Sequence, residues 1–95
     1  MTRFVPYKTI LKQALADPEQ AAEYLTACYG EGPEVFLLGL RDVVQANGGI
    51  GQMAKASKLN RESLYRLVSR KGNPRLTSLN AVLSALGLKV TFAAA

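Results

Sequence analysis

The segment GQMAKASKLNRESLYRLV, residues 51–68, predicts two short helices joined by a tight turn. Met53 gives the first helix an apolar side, and the small Ala54 suits a point where two helices cross closely. In the second helix, aliphatic residues recur at i, i+3 and i+4 and therefore share one face: Leu64, Leu67 and Val68. Packing on this face would leave the opposite side of the second helix exposed.

The start of the second helix is marked by two local signals. Asn60 stands where an N-cap is needed, and Glu62 lies in the first turn, where the helix dipole favours negative charge. The whole pattern over residues 50–69 is typical of a helix-turn-helix, whose second helix enters the major groove of DNA. The segment therefore predicts binding to double-stranded DNA.

The exposed side of this second helix supplies the candidate base-contacting residues. Arginine binds guanine bidentately, and a carboxylate accepts a hydrogen bond from cytosine N4. The candidates are Arg61, Glu62, Ser63, Tyr65 and Arg66. An alternative is that these are ordinary exposed helix residues, with Glu62 and Arg66 forming an i,i+4 ion pair. Residues that flank the helix are candidates for phosphate contacts, which position a protein without reading sequence: Gln52, Lys55, Lys58, Asn60, Lys71, Asn73 and Arg75.

The charge of the chain is divided unevenly. Residues 1–49 hold four basic and six acidic side chains, a net charge of −2, whereas residues 50–95 hold eight basic and one acidic, a net charge of +7. A basic surface around a candidate recognition helix is what a phosphate-binding face requires. The two halves are therefore expected to meet different partners.

Length and composition limit the class of protein. The 95 residues suffice for one domain, and 48% apolar with 20% charged residues is typical of a folded chain. No apolar run approaches the roughly 20 residues that span a bilayer. The start MTRFVPYK lacks the apolar core of an export signal. We therefore expect a cytoplasmic protein without a membrane partner.

Catalytic and metal sites are disfavoured by the residue inventory. The chain has no histidine and one cysteine, Cys28, whose helical spacing from Tyr24 and Leu25 predicts a buried side chain. Residues 49–54 match the dinucleotide fingerprint G-x-G-x-x-A, but they follow a predicted helix where the fingerprint requires a strand. We expect no enzyme activity, no cofactor and no metal.

Helical signals also precede the 51–68 segment. Residues 7–15 repeat apolar side chains at helical spacing, from Tyr7 and Ile10 to Leu15. Asp17-Pro18 opens a second helix that should stop at Gly30, with Gln20 at the capping-box position. Residues 34–46 are apolar nearly all round, which predicts a central helix covered on more than one side.

The C-terminal part predicts one more helix and a strand. A helix over 76–86 should turn its aliphatic residues inward: Leu76, Leu79, Val82, Leu83 and Leu86. Residues 88–92 alternate with period two and so predict a short strand. Such a strand would either lie extended on the core or pair with its copy across a dimer.

Five stretches carry a family resemblance. In chain order they are AAEYL (21–25), PEVFLLGLRDV (33–43), LNRESLYRLVS (59–69), GNPRL (72–76) and LGLKV (86–90). With them, the chain resembles the addiction module antidote proteins, the HigA-like antitoxins with a Cro/repressor-type helix-turn-helix. Lys58 departs from the pattern, because many helix-turn-helix proteins place glycine in this turn. A left-handed lysine costs about 1 kcal/mol or more.

The resemblance implies an all-α, lambda-repressor-like helix-turn-helix bundle with extra N-terminal helices and a short C-terminal strand. Residues 1–16 would form an N-terminal arm and short helix, and residues 17–95 the antitoxin domain. It also implies that the protein neutralises a RelE/ParE-like toxin by direct binding and, as a homodimer, represses its own operon. The alternatives are a stand-alone Cro/repressor-type regulator, or a protein-interaction module that does not bind DNA.

The toxin contact is predicted in the acidic half. The acidic and apolar helix over 18–29 suits a basic partner such as an RNA-binding toxin. The irregular start, residues 3–7, could become ordered on binding. The alternative is that the apolar residues of this half, Tyr24, Leu25 and Phe36, serve only the core.

Overall fold

Local sequence signals place most of the helices that the structure contains. The structure, a computed structural model, describes residues 7–95, and the predicted irregular start over residues 1–6 lies outside this range. Its six helices are α1 (Tyr7–Leu15), α2 (Pro18–Gly30), α3 (Pro33–Ala46), α4 (Gly49–Ser57), α5 (Arg61–Leu67) and α6 (Leu76–Ala85). Throughout the described range the chain is all-helical, as predicted.

Helix α3 is the centre of the packing. It contacts α1, α2 and α4, and α4 in turn contacts α5 and α6. Leu40, Val43 and Val44 of α3 are fully buried. They belong to one apolar core that continues through Leu64 of α5 and Val82 of α6. The prediction of a central helix is therefore confirmed, and one core joins both halves of the chain.

The crossing of α2 and α3 is close because two small residues meet there. A Cβ atom added at Gly39 would lie 2.7 Å from the Cys28 Sγ atom, a distance that ordinary packing does not allow. Cys28 is buried, as predicted, and fills the space that glycine leaves. The two helices could not approach so closely with a larger residue at position 39.

A single amide ties the ends of α1 and α3 together. Asn47, which follows α3, donates from Nδ2 to the Leu15 carbonyl oxygen at 3.2 Å and to the Val43 carbonyl oxygen at 2.8 Å. Carbonyl groups in the last turn of a helix lack partners within the helix, so this side chain satisfies one at each of two helix ends. The contact holds α1 against the central helix.

The cap of α2 is confirmed at its start and shifted at its end. Asp17 is extended and accepts a hydrogen bond from the Glu19 backbone N–H at 3.3 Å, with Pro18 following it. Gln20 donates to the Asp17 carboxylate at 3.5 Å, so it bonds the side chain of the capping residue. The prediction that Gly30 is the first residue beyond the helix is wrong. Gly30 is the last helical residue, and the left-handed backbone falls on Gly32, at φ 126°.

The end of α6 is set by a left-handed glycine, Gly87, at φ 77°. The Leu88 N–H donates to the Leu83 carbonyl at 2.8 Å, and the Gly87 N–H donates to the Ser84 carbonyl at 3.0 Å, the two hydrogen bonds of a Schellman motif. Helix α6 closes at Ala85 with Leu86 as its cap, so Leu86 lies one residue beyond the helix.

The predicted C-terminal strand is wrong. Residues 88–92 have no strand structure, and within the described range no other strand is present for them to pair with. Leu88 is half-buried, whereas Phe92 is 96% exposed and points away from the core. The segment therefore does not lie on the core either, apart from its first residue. Alternating hydrophobicity does not make a strand where no partner supplies the hydrogen bonds.

Three residues predicted on inward faces are exposed. Tyr7 and Ile10 lie at the outer end of α1, and Leu76 is the first residue of α6, with 69% of its surface exposed. Each holds the predicted helical spacing, yet its side chain is exposed. No helix in residues 7–95 has the length and apolar character needed to cross a membrane.

Candidate nucleic-acid interface

The connection between α4 and α5 contains a left-handed lysine. Lys58 has φ 63° and ψ 22°, and among the described residues it is the one non-glycine residue with positive φ. The Leu59 N–H donates to the Ala54 carbonyl at 3.1 Å, and the Lys58 N–H donates to the Lys55 carbonyl at 3.3 Å. The turn thus keeps both hydrogen bonds of a Schellman motif, in spite of its lysine.

Helix α5 begins as its sequence predicts. The extended Asn60 accepts a hydrogen bond through Oδ1 from the Ser63 N–H at 2.7 Å, so it is the N-cap. Leu64, Leu67 and Val68 are buried on the inner face. The helix is firmly seated by a cap at one end and by aliphatic contacts beneath.

The end of α5 differs from the prediction of a helix through Ser69. The helix closes at Leu67, with Val68 as its cap, and Ser69 lies in a turn. A Cβ atom at Gly72 would lie 2.7 Å from the Leu67 carbonyl oxygen and 2.8 Å from that of Arg66. Because Gly72 folds directly onto the last turn, the chain leaves the helix early. The spacing of apolar residues carries no signal of this close approach.

The candidate base-contacting residues differ in how far their side chains are exposed. Arg61, Glu62, Tyr65 and Arg66 are exposed, whereas Ser63 is half-buried. The Arg66 Nη2 atom lies 4.0 Å from Glu62 Oε1, and both side chains are more than 70% exposed. Such a pair contributes little to stability, so it leaves both groups available to a ligand. The Arg61 guanidinium lies along the start of α4, 3.5 Å from where a Cβ atom of Gly51 would stand.

All seven candidate phosphate-contacting residues are exposed, and six of them line two open grooves. A groove of about 620 Å³ lies between α5 and the chain that leads into α6, and its lining includes Arg66, Lys71, Asn73 and Arg75. A second, of about 690 Å³, lies over the α4–α5 connection, and its lining includes Lys55, Lys58, Asn60 and Arg61. Gln52, Glu62 and Tyr65 line neither groove.

Two residues of α3 reach the second half of the molecule, and sequence reasoning missed both contacts. The Arg41 Cζ atom lies 5.8 Å from the centre of the Tyr65 ring. The Glu34 Oε2 atom accepts a hydrogen bond from Arg70 Nε at 3.3 Å. Arg41 is one of the few polar residues of an otherwise apolar helix, and this contrast was the signal in the sequence that could have pointed to it. The position of its partner depends on tertiary packing.

A polar contact also joins α3 to α2. The Tyr24 Oη atom donates to Asp42 Oδ2 at 2.7 Å. Burial, followed by this hydrogen bond to a carboxylate, raises the pKa of Tyr24 above its ordinary value of 10. Burial also raises the pKa of the Cys28 thiol. A thiol that stays protonated is a poor nucleophile, so Cys28 packs rather than reacts.

The residues that match the dinucleotide fingerprint form no phosphate-binding loop between a strand and a helix. Residues 49–54 lie within α4, directly after α3. The required strand–turn–helix context is therefore missing at this position.

Comparison with known proteins identifies the family. The family model described as "probable addiction module antidote protein" matches residues 7–94, nearly the whole chain and all six helices. No curated protein and no solved structure gave a significant match to the chain. The chain therefore belongs to the addiction module antidote family.

Proposed function

We propose that this antidote protein binds double-stranded DNA through a helix-turn-helix formed by α4 and α5, and thereby represses its own operon. We further propose that it acts as a homodimer and that its cognate toxin is of the RelE/ParE-like class. The division into an arm over residues 1–16 and a domain over 17–95 is part of the same proposal.

The path of the chain from α4 to α5 supports the DNA-binding assignment. Two short helices are joined by three residues, Lys58 to Asn60, and α5 rests on buried aliphatics with its polar side outward. In a helix-turn-helix the second helix presents this polar side to base edges in the major groove. The exposed Arg61, Tyr65 and Arg66 occupy that position on α5.

The single observation that carries the proposal is the basic surface around α5. Seven candidate phosphate contacts are exposed around the helix. Four of them are Lys or Arg, and two more, Asn60 and Asn73, line grooves together with these cations. Residues 50–95 hold one acidic side chain, Glu62. A surface of this charge attracts the phosphate backbone and steers association.

The test is a binding titration at several salt concentrations. The probes are a duplex from the region immediately upstream of the reading frame and a random duplex of the same length. We expect tighter binding to the upstream duplex and a steep loss of affinity with salt. Lys71→Ala should weaken binding to both duplexes alike and flatten the salt dependence by about one phosphate contact. Salt-independent binding, or no binding, would contradict the proposal.

The acidic surface of α2 supports a separate contact with the toxin. No Lys or Arg occurs between Lys12 and Arg41, and Glu19 and Glu23 are exposed on α2. Neither carboxylate forms an ion pair with any residue in 7–95. An RNA-binding toxin carries a basic surface, which a negative helix face complements.

Charge reversal on α2 tests this contact. The Glu19→Lys/Glu23→Lys variant should lose affinity for the protein encoded by the adjacent reading frame, measured by calorimetry, and should keep its fold by circular dichroism. Glu62→Lys is the matched control, because it reverses an exposed acidic residue of helix α5. Equal toxin affinity for both variants and wild type would exclude the α2 surface.

A further inference from the structure

One cation of the acidic half lies beside the candidate recognition helix. Arg41 is the single basic residue between Lys12 and Lys55. It is exposed on α3, and its guanidinium lies over the ring of Tyr65 on α5, at 5.8 Å from the ring centre. The neighbouring residue Asp42 instead contacts α2, where it accepts the Tyr24 hydrogen bond. Two adjacent polar residues of α3 thus contact different helices, Arg41 contacting α5 and Asp42 contacting α2.

Within residues 7–95, the guanidinium of Arg41 has no carboxylate partner. Among residues 7–95 the ion pairs are Glu62–Arg66 and Glu34–Arg70, and neither includes Arg41. A guanidinium held over an aromatic ring by a cation–π contact does not use its N–H donors in that contact. An exposed cation with unused, fixed donors is suited to a phosphate oxygen.

We propose that Arg41, held over the Tyr65 ring, is a phosphate-contacting residue that extends the DNA-binding surface from α5 onto α3. The inference rests on the proposed DNA binding. It goes beyond that proposal because it assigns a DNA contact to the half of the chain whose net charge is negative. Tyr65 then has a second role, as the platform that orients this cation.

The test compares salt slopes on a random-sequence duplex, so that base readout by α5 does not enter. Arg41→Gln should lower affinity for all duplexes by the same few-fold factor and reduce the slope of log affinity against log salt by about 0.9 per bound protomer. Arg41→Lys keeps the charge but lacks the planar guanidinium and its fork of N–H donors, so the salt slope should remain while the affinity falls. Lys12→Gln on α1 removes an equal charge away from α5 and should change neither quantity.

The platform role is tested by combining two changes. Tyr65→Leu should weaken binding to the random duplex, and adding Arg41→Gln to it should cost less than Arg41→Gln alone, because coupled residues are not additive. Full additivity would overturn the platform role.

Two negative results separate this inference from the proposal beneath it. If Lys71→Ala flattens the salt dependence while Arg41→Gln has the same slope and affinity as the wild-type protein, the inference about Arg41 is wrong and the proposed DNA binding stands. If the wild-type protein binds no duplex, both are wrong.

Discussion

The two halves of the molecule are opposite in charge and share one core. Helices α1 to α3 lie in the half with a net charge of −2, and residues 50–95 carry +7. Beneath these surfaces, Val43 of α3 and Leu64 of α5 belong to the same buried cluster. The two surfaces therefore differ in charge while the folding unit is single. A surface charge can usually change with little effect on stability, whereas a change in the shared core affects all the helices that pack on it.

The shared core predicts the largest effect. Leu40 of α3 is fully buried, and its replacement in Leu40→Ala should lower the free energy of unfolding by about 2–5 kcal/mol. Urea unfolding followed by far-ultraviolet circular dichroism and by tyrosine fluorescence should show one coincident transition. The control Leu76→Ala removes the same atoms from an exposed position and should cost little. Two separate transitions would show that the halves fold independently.

The difference in charge predicts that cations beside α5 affect DNA affinity, whereas the more distant Lys12 of α1 does not. Arg66→Ala should weaken binding to the upstream duplex by about 1–3 kcal/mol and relax specificity at one base position. Lys12→Ala removes a cation from the acidic half and should leave affinity unchanged. Fluorescence anisotropy with single-base duplex variants measures both. Equal losses for the two variants would mean that binding follows total charge alone.

A smaller effect concerns the polar contact between α2 and α3. The raised pKa of Tyr24 means that the unfolded chain ionises this phenol near pH 10 while the folded chain keeps it protonated. The free energy of unfolding should therefore decline as the pH rises above about 10. Tyr24→Phe should remove part of that decline and cost about 1 kcal/mol near neutral pH, by loss of the hydrogen bond to Asp42. Urea unfolding at several pH values tests this, and an unchanged alkaline decline in Tyr24→Phe would contradict it.

The smallest effect is expected at the α4–α5 connection. Lys58→Gly should remove the penalty of a left-handed lysine and stabilise the fold by up to about 1 kcal/mol, offset in part by the flexibility of glycine when unfolded. The same change removes one cation, so affinity for both duplexes should fall slightly. Thermal unfolding and the salt titration, made on one preparation, distinguish these effects. A loss of stability would show that the Lys58 side chain makes a stabilising contact.

Local signals predicted the elements well because they act over a few residues. Asn60 and Asp17 cap the helices that their positions predict, since a cap needs only the next turn of chain. Periodicity failed at Tyr7 and Leu76, because spacing shows which side of a helix is apolar and not how far its neighbour extends. The 88–92 alternation failed for a related reason, since a strand requires a second strand.

The candidate site was predictable residue by residue and not as an arrangement. Exposure of Arg61 and Arg66 follows from the helical wheel, whereas the early end of α5 at Leu67 depends on the close backbone approach of Gly72. The position of Arg41 over Tyr65 joins residues 24 apart in sequence, and neither position carries a signal for the other. Their roles in binding stay predictions.

The hydrogen bonds of Asn47 make the attachment of α1 depend on a single nitrogen atom, Nδ2 of the side-chain amide. Both hydrogen bonds to the carbonyl oxygens of Leu15 and Val43 use the Nδ2 donor of the amide. Aspartate has the same shape as asparagine, but its carboxylate accepts hydrogen bonds and cannot donate them. At this position it would turn negative oxygens toward two carbonyl groups, so attachment would become repulsion. Deamidation of this one side chain would therefore loosen the first helix without altering any apolar contact in the core.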